Sequence, residues 1–488
     1  LLLVAPTAMA VGGTASPGDS PAAWSESLEW MQGNTPQEGA YGTGENGSME
    51  YYGTYPVQDD YDYGPGEYGV MSWWDYGHII TVQGERVPVA NPFQQGSDVA
   101  ANFLLAPNES QANAVLDGID EDDAETRYVA VDWQMASTYG QVSRGKFFAP
   151  TRFYDTSNVS QGDYYGRIYN PNNLRQYFNL RTQNYYESMV TRLYMFHGSA
   201  VDAQPFVIDW EQQTTDRGQP YRAASANSTV LQFNTIEEAR AYVEQDGTAQ
   251  VGGVGAFPNE DVPALEHYRY VGSSNTSAYE SSNYNRGTLT EATFLEPVRW
   301  GPPANNASSC EGNTTSMPIG GQAYCMPDGQ ARALSGTYPA WTQIYERVPG
   351  GTIEGTAPAN TTIEGRIQME NDITGESFVY RQEAETGPNG TFEMTVPYSS
   401  TGYDEWGVDA GYTNVSVRAT APYTFRNESS GIPLNGTVEV TEGQVIGENS
   451  TDSTVNLNEF DLTTEPDVTV DNGTANDTPT NETTTNGG

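Results

Sequence analysis

The sequence predicts an α+β fold. Residues 17–200 form a mixed α/β central core, residues 201–339 an inserted β-rich region, and residues 340–447 a C-terminal antiparallel β-sandwich. Three patterns predict this division: helical and strand periods alternate up to residue 200, short apolar runs separated by long polar loops follow, and then strand patterns succeed one another with turn signals between them. With 488 residues the chain is long enough to bury a core in each part.

The charge balance indicates the environment of the protein and disfavours some classes of partner. The chain has 64 acidic against 21 basic residues, a formal charge of -43, and Lys146 is its single lysine. An acid-rich, lysine-poor surface keeps a protein hydrated where salt screens charge repulsion, which is typical of a halophile. So negative a chain repels nucleic acid and anionic lipid headgroups, and we discount both as partners of this chain.

The two ends of the chain differ in composition from its middle. Residues 1–16 begin with an apolar run that has no initial Met and no basic residue, so they do not fit a signal peptide. We interpret them as the end of the last transmembrane helix of a longer chain. Residues 448–488 are rich in Thr, Asn and Asp and almost free of aromatic residues, which predicts a disordered acidic tail.

Periodicity places the elements of the core region in order. Apolar residues at helical spacing predict helices over 24–32, 97–105, 109–116 and 185–197, with Asn108 as the N-cap of the third. Apolar runs at 79–82 and 127–132 predict strands, the second of which ends in Asp132.

The inserted region carries short strand patterns at 206–210 and 230–233, with a helix predicted at 236–245. It also holds the only two cysteines, Cys310 and Cys325, in a loop rich in Gly, Pro and Asn. Two inert thiols are one possibility, and a local disulfide on an oxidising, extracellular side is the one we expect. Sixteen Asn-X-Ser/Thr triplets point to the same side, although their number partly reflects composition.

The C-terminal region shows six strand patterns within about a hundred residues, which is typical of a β-sandwich. These patterns lie at 342–348, 362–368, 377–381, 391–396, 415–420 and 436–440.

One stretch, Trp73-Trp-Asp-Tyr-Gly77, stands out chemically. Two indole N–H donors and a carboxylate need hydrogen-bond partners if they are buried. The stretch is therefore either a core strand with an aromatic pair or a functional site. Elsewhere the sequence has no Gly-X-Ser-X-Gly elbow, no Walker loop and no zinc-ligand spacing, and its three histidines lie far apart.

Trp73-Trp-Asp-Tyr-Gly77 resembles the hallmark motif of the oligosaccharyltransferase catalytic subunit, which transfers a lipid-linked glycan to the Asn of Asn-X-Ser/Thr. The neighbouring stretches extend the resemblance and look like the archaeal form: 68–72, 84–93, 186–194 and 344–350. The resemblance covers residues 1 to about 440. It implies the soluble C-terminal region of a haloarchaeal enzyme whose membrane half is not in this chain.

The resemblance implies that Trp73, Trp74 and Asp75 bind the Ser/Thr hydroxyl of the sequon, while Tyr76 and Gly77 shape the motif. A hydroxyl pairs naturally with such a set, because indole N–H groups donate and a carboxylate accepts.

The family also has a second motif, Asp-X-X-Lys-X-X-X-Met/Ile, on a kinked helix beside the same pocket. Its match here keeps Lys146, with Ser143 in the place of the acid and Pro150 in the place of the apolar residue. Met135 is an alternative apolar residue. The single lysine of the chain is thus expected at the peptide site.

Further implications of the resemblance concern cofactor and partners. Mn or Mg would be bound in the membrane-embedded part, with neither a metal site nor catalytic residues in this chain. The partners would be an acceptor polypeptide, a dolichyl-phosphate-linked oligosaccharide, and the membrane through N-terminal helices, with this region on the extracellular face of the cell membrane. We expect this chain alone to bind sequon peptides weakly and to transfer no glycan.

Two other classes of protein fit part of the sequence. A structural S-layer-like cell-surface glycoprotein would also be acidic and rich in sequons, with a sandwich and a Thr-rich stalk. A carbohydrate-binding module would use Trp73 and Trp74 as stacking platforms.

Overall fold

The computed structural model describes residues 21–42, 66–120, 125–139, 145–154, 159–225, 229–292, 314–319, 322–327, 336–403 and 405–459. The predicted membrane-helix end and residues 460–488 of the predicted tail lie outside this set. The predicted disulfide does so too, because Cys310 is not described and of Cys325 only the backbone is. No helix in the described ranges combines the length and apolar character needed to span a bilayer.

The structure has both helices and several sheets, which confirms the α+β class. The helices are α1 Pro21–Asn34, α2 Gly77–Gly84, α3 Ser97–Leu104, α4 Glu109–Asp117, α5 Trp133–Ala136, α6 Gln183–Glu187, α7 Met189–Phe196, α8 Ile236–Asp246, α9 Ser282–Ala292 and α10 Glu442–Val445. The strands up to residue 300 are β1 Gly69–Met71, β2 Val87–Pro88, β3 Thr126–Asp132, β4 Tyr165–Tyr169, β5 Gln176–Arg181, β6 Phe206–Ile208, β7 Trp210–Thr214, β8 Pro220–Ala224, β9 Val230–Gln232, β10 Gln250–Val251 and β11 Tyr268–Ser273. The later strands are β12 Thr314–Ile319, β13 Gln322–Pro327, β14 Thr342–Arg347, β15 Gly351–Thr356, β16 Thr362–Asn371, β17 Glu376–Glu385, β18 Thr391–Val396, β19 Val417–Ala419, β20 Tyr423–Asn427, β21 Pro433–Val438, β22 Ser453–Asn456 and β23 Asn458–Glu459.

A five-stranded sheet in the order β11-β14-β3-β1-β2 forms the centre of the molecule. β1 runs parallel to β2 and β3, whereas β14 pairs antiparallel with β3 and β11. The sequence analysis assigned β14 to the sandwich, and this assignment was wrong. Its alternation fits any sheet, and only pairing across more than 200 residues decides which one it joins.

Local signals identified most helices of the core region. Asn108 caps α4 as predicted, accepting a hydrogen bond from the backbone N–H of Gln111. The predicted helix over 185–197 is two helices, because Ser188 between them has extended backbone angles of φ -59° and ψ 139°.

The strand predicted at 79–82 was wrong, since these residues lie within α2. Its β-branched residues suggested a strand, but Ile80 faces the core while Val82 is 55% exposed, which is a helical distribution. Tertiary packing therefore overrides local propensity at this point.

A four-stranded sheet, β5-β4-β8-β7, combines two strands from before residue 200 with two strands of the inserted region, so the predicted boundary at residue 200 falls within this sheet. The three-stranded sheet β10-β6-β9 lies wholly within the inserted region. Small apolar clusters separate from the main core lie under these sheets, one around Ile168 and Phe178 and another where α8 packs on β6.

The C-terminal region forms two sheets, β18-β15-β22 and β17-β16-β20-β21-β23, with β19 also on β16. Apart from the parallel pair β15 and β22, their pairs are antiparallel, as the fold class predicted. The prediction that disorder begins at residue 448 was wrong, because Ser453–Asn456 pair with β15. Backbone pairing orders this stretch despite its polar composition.

A buried charge cluster joins the central sheet to the C-terminal region. The guanidinium of Arg269 on β11 lies 2.8 Å from Glu346 on β14 and 2.8 Å from Glu442 at the start of α10. All three side chains are at most 1% exposed. Since a buried charge is costly without its partners, these elements are tied together.

Candidate functional site

The aromatic motif follows β1 at one edge of the central sheet. β1 and β3 are parallel, with Met71 opposite Val129, so the residues after Met71 and those at the end of β3 meet at the same edge. This edge brings Asp132 to the motif, although 56 residues separate it from Tyr76. Carboxyl ends of parallel strands are a common place for binding sites.

The motif itself is a tight turn. Trp73 is extended, Trp74–Tyr76 form one turn of 3-10 helix, and α2 starts at Gly77. A Cβ at Gly77 would lie 2.1 Å from the carbonyl oxygen of Ala90, so no larger residue fits against this loop. The close approach accounts for glycine at this position.

Tyr76 is the buried centre of the site. Its hydroxyl donates to Asp132 Oδ2 at 2.7 Å, and its ring stacks on Trp24 with centroids 4.2 Å apart. Trp24 Nε1 donates to the same carboxylate oxygen at 3.1 Å, and the N–H of Met135 donates to Oδ1 at 3.0 Å. The Asp132 carboxylate thus accepts three hydrogen bonds. It caps the helix that follows it, and it holds the Tyr76 hydroxyl in place.

Lys146 joins the motif at the same place. Its Nζ lies 2.7 Å from Asp75 Oδ2 and donates to the Tyr76 hydroxyl oxygen at 2.8 Å. The backbone N–H of Lys146 donates to Gln134 O at 2.6 Å, and the neighbouring Phe147 is completely buried. The sequence prediction that Lys146 lies beside the motif agrees with this geometry.

The rest of the second motif differs from what the resemblance implied. Pro150 begins a 3-10 turn, Pro150–Arg152, and no kinked helix is seen in the described residues 145–154. Ser143 lies outside the described residues. Met135, the alternative apolar residue, is buried and contributes its backbone N–H to Asp132.

The two tryptophans differ in exposure. Trp73 is 2% exposed and packs edge-on against Phe153, whereas Trp74 is partly exposed beside the same ring. A buried Trp73 offers no face to a sugar, so the two indoles do not form the paired stacking platform of the carbohydrate-module hypothesis.

Two polar atoms of the motif have no partner. Within the described part of the chain, Trp74 Nε1 and Asp75 Oδ1 are buried and make no hydrogen bond. One is a donor and the other an acceptor, and a buried polar atom left unpaired is costly. The motif thus offers one unpaired donor and one unpaired acceptor, which a group that both accepts and donates a hydrogen bond could satisfy.

The electrostatics of the site follow from burial. Burial raises the pKa of Asp75 above its ordinary value, and the ammonium of Lys146 opposes this rise. Burial also raises the pKa of Asp132, again opposed by Lys146 and by the Tyr76 hydrogen bond. The pKa of Tyr76 lies well above 10, because burial and the two carboxylates disfavour its anion. Tyr76 thus remains a neutral donor.

The described residues contain no group of three or more His, Cys, Asp or Glu side chains arranged to hold a metal ion.

Sequence reasoning missed Trp24, Asp132 and Phe153 as parts of the site. An acid that ends a buried apolar strand was a usable signal for Asp132. Trp24 lies 108 residues from Asp132, and no local pattern links them.

Comparisons with known proteins agree with the resemblance. The model of the AglB core domain matches residues 21–136, and that of the archaeal glycosylation protein B long peripheral domain matches residues 350–451. The dolichyl-monophosphooligosaccharide–protein glycotransferase AglB of Haloferax volcanii is 48% identical over 418 residues, 83% of this chain and 36% of that protein. Glycotransferase 3 of Archaeoglobus fulgidus is 25% identical over 407 residues, 77% of this chain and 37% of that protein.

A crystal structure of an Archaeoglobus fulgidus oligosaccharyltransferase in complex with Zn and sulfate shares the fold, with a TM-score of 0.52 and 18% identity. The match covers 90% of this chain and 47% of that one. This chain therefore spans little more than a third of the length of the curated relatives described above. Those relatives are glycotransferases, which gives the surface-glycoprotein alternative no support.

Proposed function

Because the chain belongs to the AglB family of archaeal oligosaccharyltransferases, we propose that it recognises the sequon of an acceptor polypeptide for glycan transfer. In this proposal the full enzyme transfers a lipid-linked oligosaccharide to the Asn of Asn-X-Ser/Thr. This chain binds the Ser/Thr two residues later, through Trp73, Trp74, Asp75 and Lys146.

The unpaired donor and acceptor of the motif carry the proposal. A Ser or Thr hydroxyl accepts a hydrogen bond from Trp74 Nε1–H and donates its own proton to Asp75 Oδ1, the two atoms without partners in the described residues. A residue without a hydroxyl leaves both atoms unpaired, and this penalty makes the site selective.

Lys146 supports the acceptor. It lies 2.7 Å from Asp75 Oδ2, and this ion pair favours the ionised carboxylate, whose Oδ1 has no partner among the described residues. Asp132 and Trp24 fix Tyr76, and Tyr76 in turn accepts from Lys146, so three buried side chains position one ammonium. Trp73 and Phe153 pack behind Trp74 and give the site an apolar wall.

The partners and location of the full enzyme are part of the proposal. They are an acceptor polypeptide, a dolichyl-phosphate-linked oligosaccharide, and the cell membrane, with this region on its extracellular face. Nucleic acid is no partner of a chain with a charge of -43. A metal such as Mn or Mg would be bound in the membrane-embedded part of the full enzyme.

Peptide crosslinking tests the assignment. An Asn-X-Thr peptide with a photoreactive group at the Thr side chain is expected to label the stretch containing Trp74 and Asp75. A matched peptide with Val in place of Thr, and the group at the same position, is expected to label weakly. Labelling elsewhere, or equal labelling by both peptides, contradicts the proposed site.

A further inference from the structure

A cleft lies at the sheet β5-β4-β8-β7, where strands of the core region meet strands of the inserted region. It has a volume of about 660 Å³, within the range of small-molecule sites. Its lining comes mainly from β4, β7, β8 and the turn between β7 and β8. The cleft and the aromatic motif have no lining residue in common, so it is a separate feature.

The charge of the cleft is opposite to that of the protein. Arg167 and Arg222 line it, and none of the described residues that line it is acidic, in a chain with 64 acidic and 21 basic residues. Neither arginine forms an ion pair within the part of the chain that the structure describes. A guanidinium group without a carboxylate partner can bind an anion.

The local backbone makes room for one of these groups. Gly166 lies directly under Arg222, so that a Cβ there would be 1.8 Å from Nη1. The guanidinium carbon of Arg222 lies 5.3 Å from the centroid of the Trp210 ring. The glycine on one side and the indole on the other hold the planar guanidinium in place. The Arg222 side chain therefore loses less conformational entropy when a ligand binds.

The remaining lining is aromatic and amide-bearing. The rings of Tyr169 and Tyr221 meet edge to face at 6.1 Å, and Gln212 and Gln219 add amide groups. Trp210 is partly exposed, and its buried Nε1 has no partner among the described residues. Aromatic faces pack on the C–H faces of sugar rings, and amide, indole and guanidinium groups bind hydroxyls and carboxylates.

We propose that this cleft binds an anionic saccharide, one that carries a carboxylate or sulfate group. Arg222 binds the anionic group, Trp210 packs against a sugar ring, and the glutamines bind hydroxyls. An acidic peptide would use the arginines but not the combination of aromatic faces and amides. The proposal stands apart from the sequon site.

Titration of the full 488-residue chain in molar KCl tests the proposal, with digalacturonic acid as the probe. We expect binding of digalacturonate, and binding of its neutral dimethyl ester to be about tenfold weaker because the ester cannot form the charge-assisted hydrogen bond. Equal binding of acid and ester would overturn the role of the arginines. Equal binding of a hexaglutamate peptide, or no binding of digalacturonate, would overturn the saccharide site.

Variants locate the site. Arg222→Gln should weaken digalacturonate binding about tenfold, and Gly166→Ala should weaken it by displacing the guanidinium without a change of charge. Arg240→Gln, at an exposed position of α8, is the matched control and should bind as the unchanged protein does. Wild-type affinity in Arg222→Gln overturns the proposal.

Sequon-peptide binding separates the two sites. It should be unaffected by Arg222→Gln, while Asp75→Asn should lose it and retain digalacturonate binding. Retained peptide binding also shows that the Arg222→Gln protein is folded. If Asp75→Asn abolished digalacturonate binding as well, the two sites would not be separate and the proposal would fail.

Discussion

Replacement of Lys146 by Met tests whether this lysine sets the state of Asp75. The change removes two hydrogen bonds of the ammonium, 2.7 Å to Asp75 Oδ2 and 2.8 Å to the Tyr76 hydroxyl, while it keeps much of the side-chain volume. Asp75 then remains partly buried with no cation beside it. Because Lys146 is what opposes the burial-induced rise in the pKa of Asp75, that pKa rises further in the variant.

The size of the effect follows from the proposed hydrogen bond that the peptide hydroxyl donates to Asp75, which is weaker when the carboxyl is protonated. A hydrogen bond to a charged group contributes about 1.5 to 3 kcal/mol, and Asp75 is 29% exposed, so solvent screens part of it. A decrease of about 2 kcal/mol in the binding free energy corresponds to roughly a 30-fold weaker Kd for an Asn-X-Thr peptide. Lys146→Arg retains the charge and should weaken binding much less.

Fluorescence anisotropy of a labelled Asn-X-Thr peptide, titrated from about pH 8 to about pH 4, measures both the affinity for the peptide and its pH dependence. In the wild type, binding should weaken on acidification with a midpoint above 3.8, because the pKa of Asp75 is raised and a protonated carboxyl is a poorer acceptor. In Lys146→Met the midpoint should lie higher still. Wild-type affinity with an unchanged midpoint in this variant would refute the reasoning.

Three further predictions concern the site and the stability of the fold. Trp74→Phe removes the indole donor, so Asn-X-Thr peptides should bind about tenfold more weakly and Asn-X-Val peptides equally, as anisotropy can measure. Arg269→Met leaves two buried carboxylates unpaired and should lower the free energy of unfolding by about 3 to 5 kcal/mol in urea titrations, with Arg240→Met as the exposed control. Burial lowers the pKa of His197 from 6.5 to about 3. Between these two pH values only the unfolded state takes up the proton, so the stability contributed by the neutral, buried His197 is complete above pH 6.5 and is lost as the pH falls towards 3. His197→Asn tolerates the φ of 50° at this position and should flatten that part of the pH profile of unfolding.

Much of the local structure could be predicted from the sequence. The N-cap at Asn108 and the buried strand that ends in Asp132 have short-range causes, and both are found. The assignments that failed depend on distant partners: β14 pairs with β3, and β22 pairs with β15, across about 200 and 100 residues. Strand alternation shows that a segment lies in a sheet but does not identify its neighbour.

The candidate site shows the same division. Trp73 to Gly77 and Lys146 were found from residue types and resemblance, because each is chemically unusual in this sequence. Trp24 and Asp132 were not, since an indole in a helix and an acid after a strand are ordinary in isolation. Only the parallel register of β1 and β3 brings them together.

The place of β14 in the central sheet has a consequence for synthesis of the protein on the ribosome. Asp132, at the end of β3, pairs with Thr342, and β14 also completes the link to β11. At a synthesis rate of about 5 to 20 residues per second, β3 waits roughly 10 to 45 seconds for the strand that covers it. Through that interval β3 lacks its partner on the β14 side, and an unpaired strand edge of this kind promotes aggregation of a nascent chain.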